Sequence, residues 1–155
     1  MDLRKLKNYL DKNYGELKIN CYLMFNDYVI SNGYSIICLK NNNNLNIIHS
    51  KDNNNVYNKL KEFRNNFKYE THFYKDLIID FKDKEQEFYN IDNEYSVSIK
   101  NLKEIKNLIK ADKFEILKIG NNSSKYIIKI ENTKNYEVGY LLPCRTFWGG
   151  LVWKK

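Results

Sequence analysis

The two histidines, His49 and His72, are the first residues to consider for acid–base chemistry, because imidazole changes its charge near neutral pH. Neither lies beside a plausible nucleophile pattern of the kind that an adjacent base activates. We interpret both as structural or surface residues. The sequence therefore contains no strong signature of nucleophilic catalysis.

Two short segments match the Glu-x-Lys fragment of metal-dependent nucleases, Glu16–Lys18 and Glu104–Lys106. The first has only Asp11 as an upstream acid, and Asp11 is predicted to be helical. The second lies inside a predicted helix, where its carboxylate cannot align with an acid on a strand. We therefore reject both segments as nuclease sites.

Metal and cofactor sites have little support elsewhere in the sequence. Asp76, Asp80 and Asp83 could offer carboxylates to Mg²⁺, but their spacing beside a turn is weak evidence. No zinc-ligand spacing and no glycine-rich phosphate loop is present. The cysteines are odd in number, far apart and in apolar contexts typical of reduced, buried thiols: Cys21, Cys38 and Cys144. We expect no enzyme activity, no metal and no cofactor.

Positive charge is concentrated in the C-terminal part of the chain, whose formal net charge is +7. Residues 1–94 hold 14 basic and 14 acidic side chains, whereas residues 95–155 hold 12 basic and 5 acidic ones. Residues 76–94 hold seven acidic and two basic side chains. Abundant Asn, Lys, Ile and Tyr indicate an AT-rich coding bias, but that bias alone would not sort charge in this way. An electrostatic field that is positive on one side of a protein can guide an anionic partner to that side.

Basic faces of two predicted helices are the candidate nucleic-acid contacts. In each helix the apolar residues recur at helical spacing, so the basic residues fall on the opposite face. Such a face would bind phosphates with a strong dependence on salt. An ordinary solvated helix face is the alternative. The candidate residues are Lys100, Lys103, Lys106 and Lys110 near the C-terminal helix, and Arg4, Lys5 and Lys12 near the N-terminus.

Aromatic residues suggest two further surfaces. The tail, residues 147–155, contains Phe147, Trp148 and Trp153, residue types that dominate protein interfaces. We name these three as candidate partner contacts, although we favour the alternative that the tail is an edge strand with Trp148 and Trp153 in the core. Tyrosines mixed with lysines between residues 125 and 140 could stack on bases, but Tyr is also common in strands. The residues concerned are Tyr126, Tyr136 and Tyr140, among Lys125, Lys129 and Lys134.

Hydrophobic periodicity predicts one well-defined unit over residues 95–147. A strand alternates first, and a helix with Asn101 as its N-cap and Glu104 three residues later follows. A hairpin and a third strand, stopped by proline, complete the unit. The predicted strands are Tyr95–Ile99, Phe114–Ile119, Lys125–Ile130 and Tyr136–Leu142.

The rest of the sequence predicts the same arrangement, a helix followed by strands, in a less regular form. A helix over Asp2–Lys12 precedes strands up to about residue 50, and an inserted amphipathic helix covers about residues 53–68. A strand over His72–Phe81 and a short one over Glu87–Ile91 lead into the C-terminal unit. We predict a single α+β domain, residues 1–155, with a mostly antiparallel curved sheet and two or three amphipathic helices. Residues 1–50 and 95–147 would form a degenerate internal repeat.

Two motifs resemble those of bacterial and phage sliding DNA clamps. Phe25–Tyr34, FNDYVISNGY, resembles the clamp hairpin with its Asn-Gly turn, and Leu141–Arg145, LLPCR, resembles the apolar-Pro-x-Arg end of clamp chains. In that family each domain repeats a helix and a curved set of strands, and the helices present basic residues to DNA. The resemblance implies one clamp-like module here, because a complete ring needs several domains.

Two functions remain open from the sequence. The first is a non-enzymatic phage or mobile-element protein that engages nucleic acid through its basic helices, as a clamp-like replication accessory. The second is an inhibitor of a host defence nuclease complex, of the anti-CRISPR type, which covers an acidic patch or competes for guide RNA. Both imply nucleic acid or a nucleic-acid-processing complex as the partner. No apolar run predicts a membrane span or a signal peptide, so we expect a cytoplasmic location in a bacterial cell.

Overall fold

The structure, a computed structural model, describes residues 8–9, 20–24, 27–31, 35–40, 54–120 and 125–145. These residues form a small α+β domain with antiparallel sheets, as the sequence predicts. The described helices are α1 (Asn54–Glu70) and α2 (Ile99–Ile109). The described strands are β1 (Asn20–Met24), β2 (Asp27–Ser31), β3 (Ser35–Lys40), β4 (Thr71–Asp76), β5 (Phe88–Asn90), β6 (Tyr95–Ser98), β7 (Lys113–Ile119), β8 (Tyr126–Glu131), β9 (Val138–Leu141) and β10 (Cys144–Arg145).

Seven of the described strands form the main sheet in the order β1-β2-β3-β9-β8-β7-β4. Two meanders, β1-β2-β3 and β7-β8-β9, meet through the antiparallel pair of β3 and β9, in which Ser35 lies opposite Leu141. Among the described strands, β1 and β4 are the edges of this sheet. A second sheet has the order β10-β6-β5, and β10 pairs with β6 just after the chain leaves β9.

The main sheet carries a helix on each face, because successive side chains of a strand point to opposite sides. Ile30 and Ile37 belong to the larger core, together with the buried side chains of α2. Their sequence neighbours Val29 and Cys38 pack on the other face with Leu60 of α1. We call these the α2 face and the α1 face. The three-stranded sheet lies on the α2 face, since Val97 and Ile91 join the larger core.

Helix α1 confirms the inserted amphipathic helix. It contacts both β1 and β4, so it runs across the strands of the α1 face. The predicted apolar positions face the sheet: Leu60 is buried, and the rings of Phe63 and Phe67 lie 5.4 Å and 4.5 Å from that of Tyr140. Its last residue, Glu70, is followed directly by β4.

Two predicted strand boundaries are wrong. The strand predicted over His72–Phe81 ends at Asp76, and Ile78 is 84% exposed, because the chain leaves the sheet edge after Leu77 bonds to Phe114. The third strand begins at Val138 and not at Tyr136, whose φ of 60° places it in a turn.

The predicted internal repeat and the clamp-like architecture are not confirmed. Asn8 and Tyr9 are helical, in agreement with the first helix, but the rest of Asp2–Lys12 lies outside the described residues. Tyr9 joins the core, and burial raises the pKa of its hydroxyl, which lies 3.4 Å from that of Ser35. The strand predicted at Leu45–His49 also lies outside the described residues. Neither described helix has the length and apolarity that a membrane-spanning helix needs.

Candidate nucleic-acid interface

Helix α2 is fixed at both ends, which gives its side chains defined positions. At the start, the hydroxyl of Ser98 accepts a hydrogen bond from the N–H of Asn101 at 3.3 Å. Ser98 is therefore the N-cap, and the prediction that Asn101 caps the helix is wrong. At the end, Lys110 has left-handed dihedral angles, and the side-chain amide of Asn132 donates to the carbonyls of Ile109 and Lys110 at 2.8 Å and 3.1 Å. These bonds satisfy backbone groups that a helix end leaves free.

The apolar side of α2 is buried against the main sheet, and it includes the predicted residues Leu102, Ile105, Leu108 and Ile109. The approach is close at β9. A methyl group added at Gly139 would lie 2.5 Å from Cγ2 of Ile105. This packing fixes which side of the helix faces water.

The lysines lie on the solvent side, as predicted. Lys100, Lys103 and Lys110 are exposed. Lys106 is half-buried, and its ammonium lies 5.4 Å from the ring centroid of Phe81, where a cation–π attraction holds it. In the described part of the chain, none of the four forms a salt bridge with a carboxylate. The helix and its C-cap therefore carry four lysines and a single carboxylate, that of half-buried Glu104.

Two lysines of β7 and β8 contrast with those of α2, because they are paired with carboxylates. Lys113 lies 2.8 Å from Glu115, and Lys129 lies 3.6 Å from Glu115 and 2.7 Å from Glu131. The hydrogen bond to Glu115 raises the pKa of Lys113. The positive charges of Lys113 and Lys129 are thus partly neutralised, whereas the lysines of α2 have no salt-bridge partner among the described residues.

The acidic segment of residues 76–94 uses its carboxylates in turns. The backbone N–H groups of Lys82 and Glu85 donate to Asp80 and Asp83, both at 2.9 Å, and those of Glu94 and Tyr95 donate to Asp92 at 2.8 Å. No group of His, Cys, Asp or Glu among the described residues is arranged to hold a metal ion.

The tyrosines named from the sequence do not form a stacking surface. Tyr126 is buried in the larger core, and Tyr140 is half-buried beneath Phe63 and Phe67. Tyr136 is exposed, but it lies in the turn between β8 and β9. Burial of Tyr126 and Tyr140 agrees with the interpretation that these are ordinary strand residues.

A different aromatic group, which the sequence did not reveal, joins the two sheets at β4. The rings of Tyr74 and Tyr95 lie 5.6 Å and 5.5 Å from that of Tyr126. The ammonium groups of Lys118 and Lys75 lie 4.5 Å and 5.5 Å from the Tyr74 ring centroid. We call these five residues the tyrosine–lysine cluster. Its members come from four strands, β4, β6, β7 and β8, and only the adjacent pair Tyr74 and Lys75 gives a local hint in the sequence.

Asp92 anchors this cluster through the hydroxyl of Tyr126. That hydrogen bond is the main reason why the pKa of Tyr126 is raised to about 12. Burial pushes the pKa of Asp92 upward, but its hydrogen bonds from Tyr126, Glu94 and Tyr95 outweigh burial and lower the pKa. The buried ring of the cluster, that of Tyr126, is therefore linked by a hydrogen bond to the turn between β5 and β6.

Several candidate residues lie outside the described residues. They are the N-terminal Arg4, Lys5 and Lys12, and the tail residues Phe147, Trp148 and Trp153. The described part of the candidate interface thus consists of α2 and its surroundings. Comparison of the chain with protein-family models, curated proteins and solved structures finds no match.

Proposed function

We propose that this protein binds nucleic acid through the lysine side of α2, and that it acts as a binding protein and not as an enzyme. One observation carries the proposal: Lys100, Lys103 and Lys110 are exposed on a capped helix and have no acidic partner among the described residues. Paired lysines such as Lys113 have little free charge to offer an anion.

The dimensions of α2 suit a phosphate backbone. Lys110 lies ten positions after Lys100, which corresponds to about 15 Å along a helix. A nucleic-acid strand carries one charge per about 3.4 Å of helix axis, so the row can neutralise several phosphates at once. Each neutralised phosphate releases counterions, and this release supplies the binding free energy.

Fluorescence anisotropy with labelled duplex DNA, single-stranded DNA and structured RNA, across a salt series, tests the proposal. If three or four phosphates are neutralised, the logarithm of the binding constant should fall with the logarithm of salt concentration with a slope of about −3 for duplex DNA. A preference for duplex would support the clamp-like role that the sequence resemblance implies. Absence of binding at low salt would overturn the proposal and indicate a protein partner for α2.

Reversing charge at the start of α2 separates binding from folding. Lys100→Glu with Lys103→Glu should weaken binding and make the salt slope shallower by about 2, one unit for each lost phosphate contact. The same change places acids near a helix N-terminus that has none in its first turn, where each stabilises by about 0.3–1 kcal/mol. If the double variant binds more weakly but is no less stable than the parent chain, the weaker binding is caused by the lost phosphate contacts.

The matched control is Lys59→Glu with Lys61→Glu. Both residues are exposed on α1, which covers the opposite face of the sheet. The net charge changes by the same amount, so general electrostatic attraction falls equally in the two variants. Equal losses in both variants would show that net charge, and not the α2 surface, drives binding.

A further inference from the structure

Tyr74 lies at an irregularity of the edge strand β4. Phe73 pairs with Leu117 and Lys75 with Ile116, so Tyr74 is an extra residue without a partner on β7. Such a bulge breaks the alternation of side chains. Tyr74 and Lys75 consequently share one side of the strand, where the ammonium of Lys75 lies 5.5 Å from the Tyr74 ring centroid. Phe73 points to the other face, with Leu117.

Tyr74 is the outermost ring of the tyrosine–lysine cluster. It is 41% exposed, whereas Tyr95 is half-buried and Tyr126 is buried. Tyr126 supports it from the main sheet at a centroid distance of 5.6 Å, and Tyr95 of the second sheet packs in turn on Tyr126 at 5.5 Å. An aromatic ring with a fixed backing and an open side is what a stacking partner requires.

The ammonium of Lys118 is placed for an anion. It lies 4.5 Å from the ring centroid of Tyr74 and 5.8 Å from that of Tyr126, and no described carboxylate forms a salt bridge with it. Contact with a ring leaves the N–H donors of a lysine free for hydrogen bonds. Lys75 differs, because its ammonium donates to the carbonyl of Ile91 at 3.1 Å and so helps to join the sheets.

From these contacts we propose that the tyrosine–lysine cluster is a subsite for single-stranded nucleic acid, in which one base stacks on Tyr74 and Lys118 binds a neighbouring phosphate. The proposal rests on the proposed function and narrows its substrate class. A base would take the ring position that Lys118 now holds. The exchange is favourable, since an exposed cation–π contact corresponds to about 2- to 5-fold in affinity and a stacked base to about 5- to 150-fold.

Single-stranded nucleic acid fits this geometry better than duplex does. Bases in a duplex already stack on one another, so their faces are closed to a protein ring, whereas single strands expose them. Tyr74 also lies on an edge strand of the main sheet, beside exposed Phe73 and His72.

The test compares Tyr74→Ala with the parent chain, using labelled single-stranded DNA of about 15 nucleotides and its duplex. We expect affinity for the single strand to fall about 5- to 150-fold and affinity for the duplex to stay within about 2-fold. The salt slope should not change, because stacking neutralises no phosphate. Tyr74→Phe should bind like the parent chain, since the ring face is kept.

Two controls distinguish stacking from general effects. Phe73→Ala removes the neighbouring ring, which is 60% exposed on the opposite face of β4, and should leave single-strand affinity unchanged. Lys118→Gln should make the salt slope for the single strand shallower by about 0.7. Thermal unfolding of each variant shows whether the fold is intact.

The outcomes separate this inference from the proposed function. If Tyr74→Ala binds the single strand as tightly as the parent chain does, while reversal of Lys100 and Lys103 abolishes binding, the stacking subsite is wrong and the α2 interface stands. In that case the cluster serves only to join the sheets. If the parent chain binds no nucleic acid at low salt, both proposals are overturned.

Discussion

The Asp92–Tyr126 hydrogen bond makes stability depend on pH at both ends of the scale. The pKa of Tyr126 is raised from its ordinary 10.0 to about 12, so its stabilising contribution is complete below pH 10 and is lost as pH rises through 12. The pKa of Asp92 is lowered, so its contribution is complete above the ordinary value of 3.8 and is lost as pH falls through the folded value.

Replacing Asp92 by Asn should lower the pKa of Tyr126 toward 10, because the charged acceptor is lost. The amide oxygen can still accept from the N–H groups of Glu94 and Tyr95, so the turn should remain. NMR titration of the tyrosine rings measures the shift. Asp80→Asn is the control, since Asp80 caps a similar turn around Lys82. An unchanged pKa for Tyr126 in Asp92→Asn would mean that burial alone raises it.

The N-cap of α2 makes a prediction at the level of the element. Ser98→Ala should lower the free energy of unfolding by about 1 kcal/mol, because the N–H of Asn101 loses its acceptor. Asn101→Ala should leave stability unchanged or raise it by a few tenths of a kcal/mol, because Asn101 is an exposed helical residue and Ala is the better helix former. Urea unfolding of both variants measures the two changes in stability. A larger loss in Asn101→Ala than in Ser98→Ala would mean that Asn101 is the N-cap.

Elements with strong periodicity are the ones that the sequence predicts correctly. Helix α2 follows from Leu102, Ile105 and Leu108, and α1 from Leu60, Phe63 and Phe67, since a buried face leaves a regular pattern. The cap is ambiguous because Ser98 and Asn101 are both good capping residues, and the choice depends on where β6 ends. The end of β4 cannot be predicted from the sequence either, because Ile78 is as apolar as a buried strand residue and yet is exposed.

The two parts of the candidate site, the lysines of α2 and the tyrosine–lysine cluster, also differ in how well the sequence predicts them. The lysines of α2 are predictable because helical spacing places them opposite the apolar face. The tyrosine–lysine cluster is not predictable, because it depends on a bulge at Tyr74 and on contacts with β6 and β8. A strand of regular alternation would send Tyr74 and Lys75 to opposite faces.

Between the layers of the molecule, stability depends on close packing of α2 against β9. Gly139→Ala should lower the free energy of unfolding by about 1–3 kcal/mol, because the new methyl group meets Cγ2 of buried Ile105. Ile105 is branched at Cβ, so it cannot easily turn away. The cost should be smaller in an Ile105→Ala background, where Cγ2 is absent. Denaturant unfolding of the four proteins measures this coupling, and equal costs in both backgrounds would contradict the contact.

The pairing of β3 with β9 constrains how this chain can fold while it is being made. Ser35 and Leu141 lie opposite each other, although about 100 residues separate them in sequence. At ribosomal rates, roughly 5 to 20 seconds pass between the synthesis of the two strands. During that time β9 is not yet available to pair with the apolar strand β3, so one edge of β3 keeps unpaired backbone N–H and C=O groups. Such an edge can pair with strands of other chains. Overproduction that outpaces completion of the chain should therefore favour aggregation of nascent polypeptides.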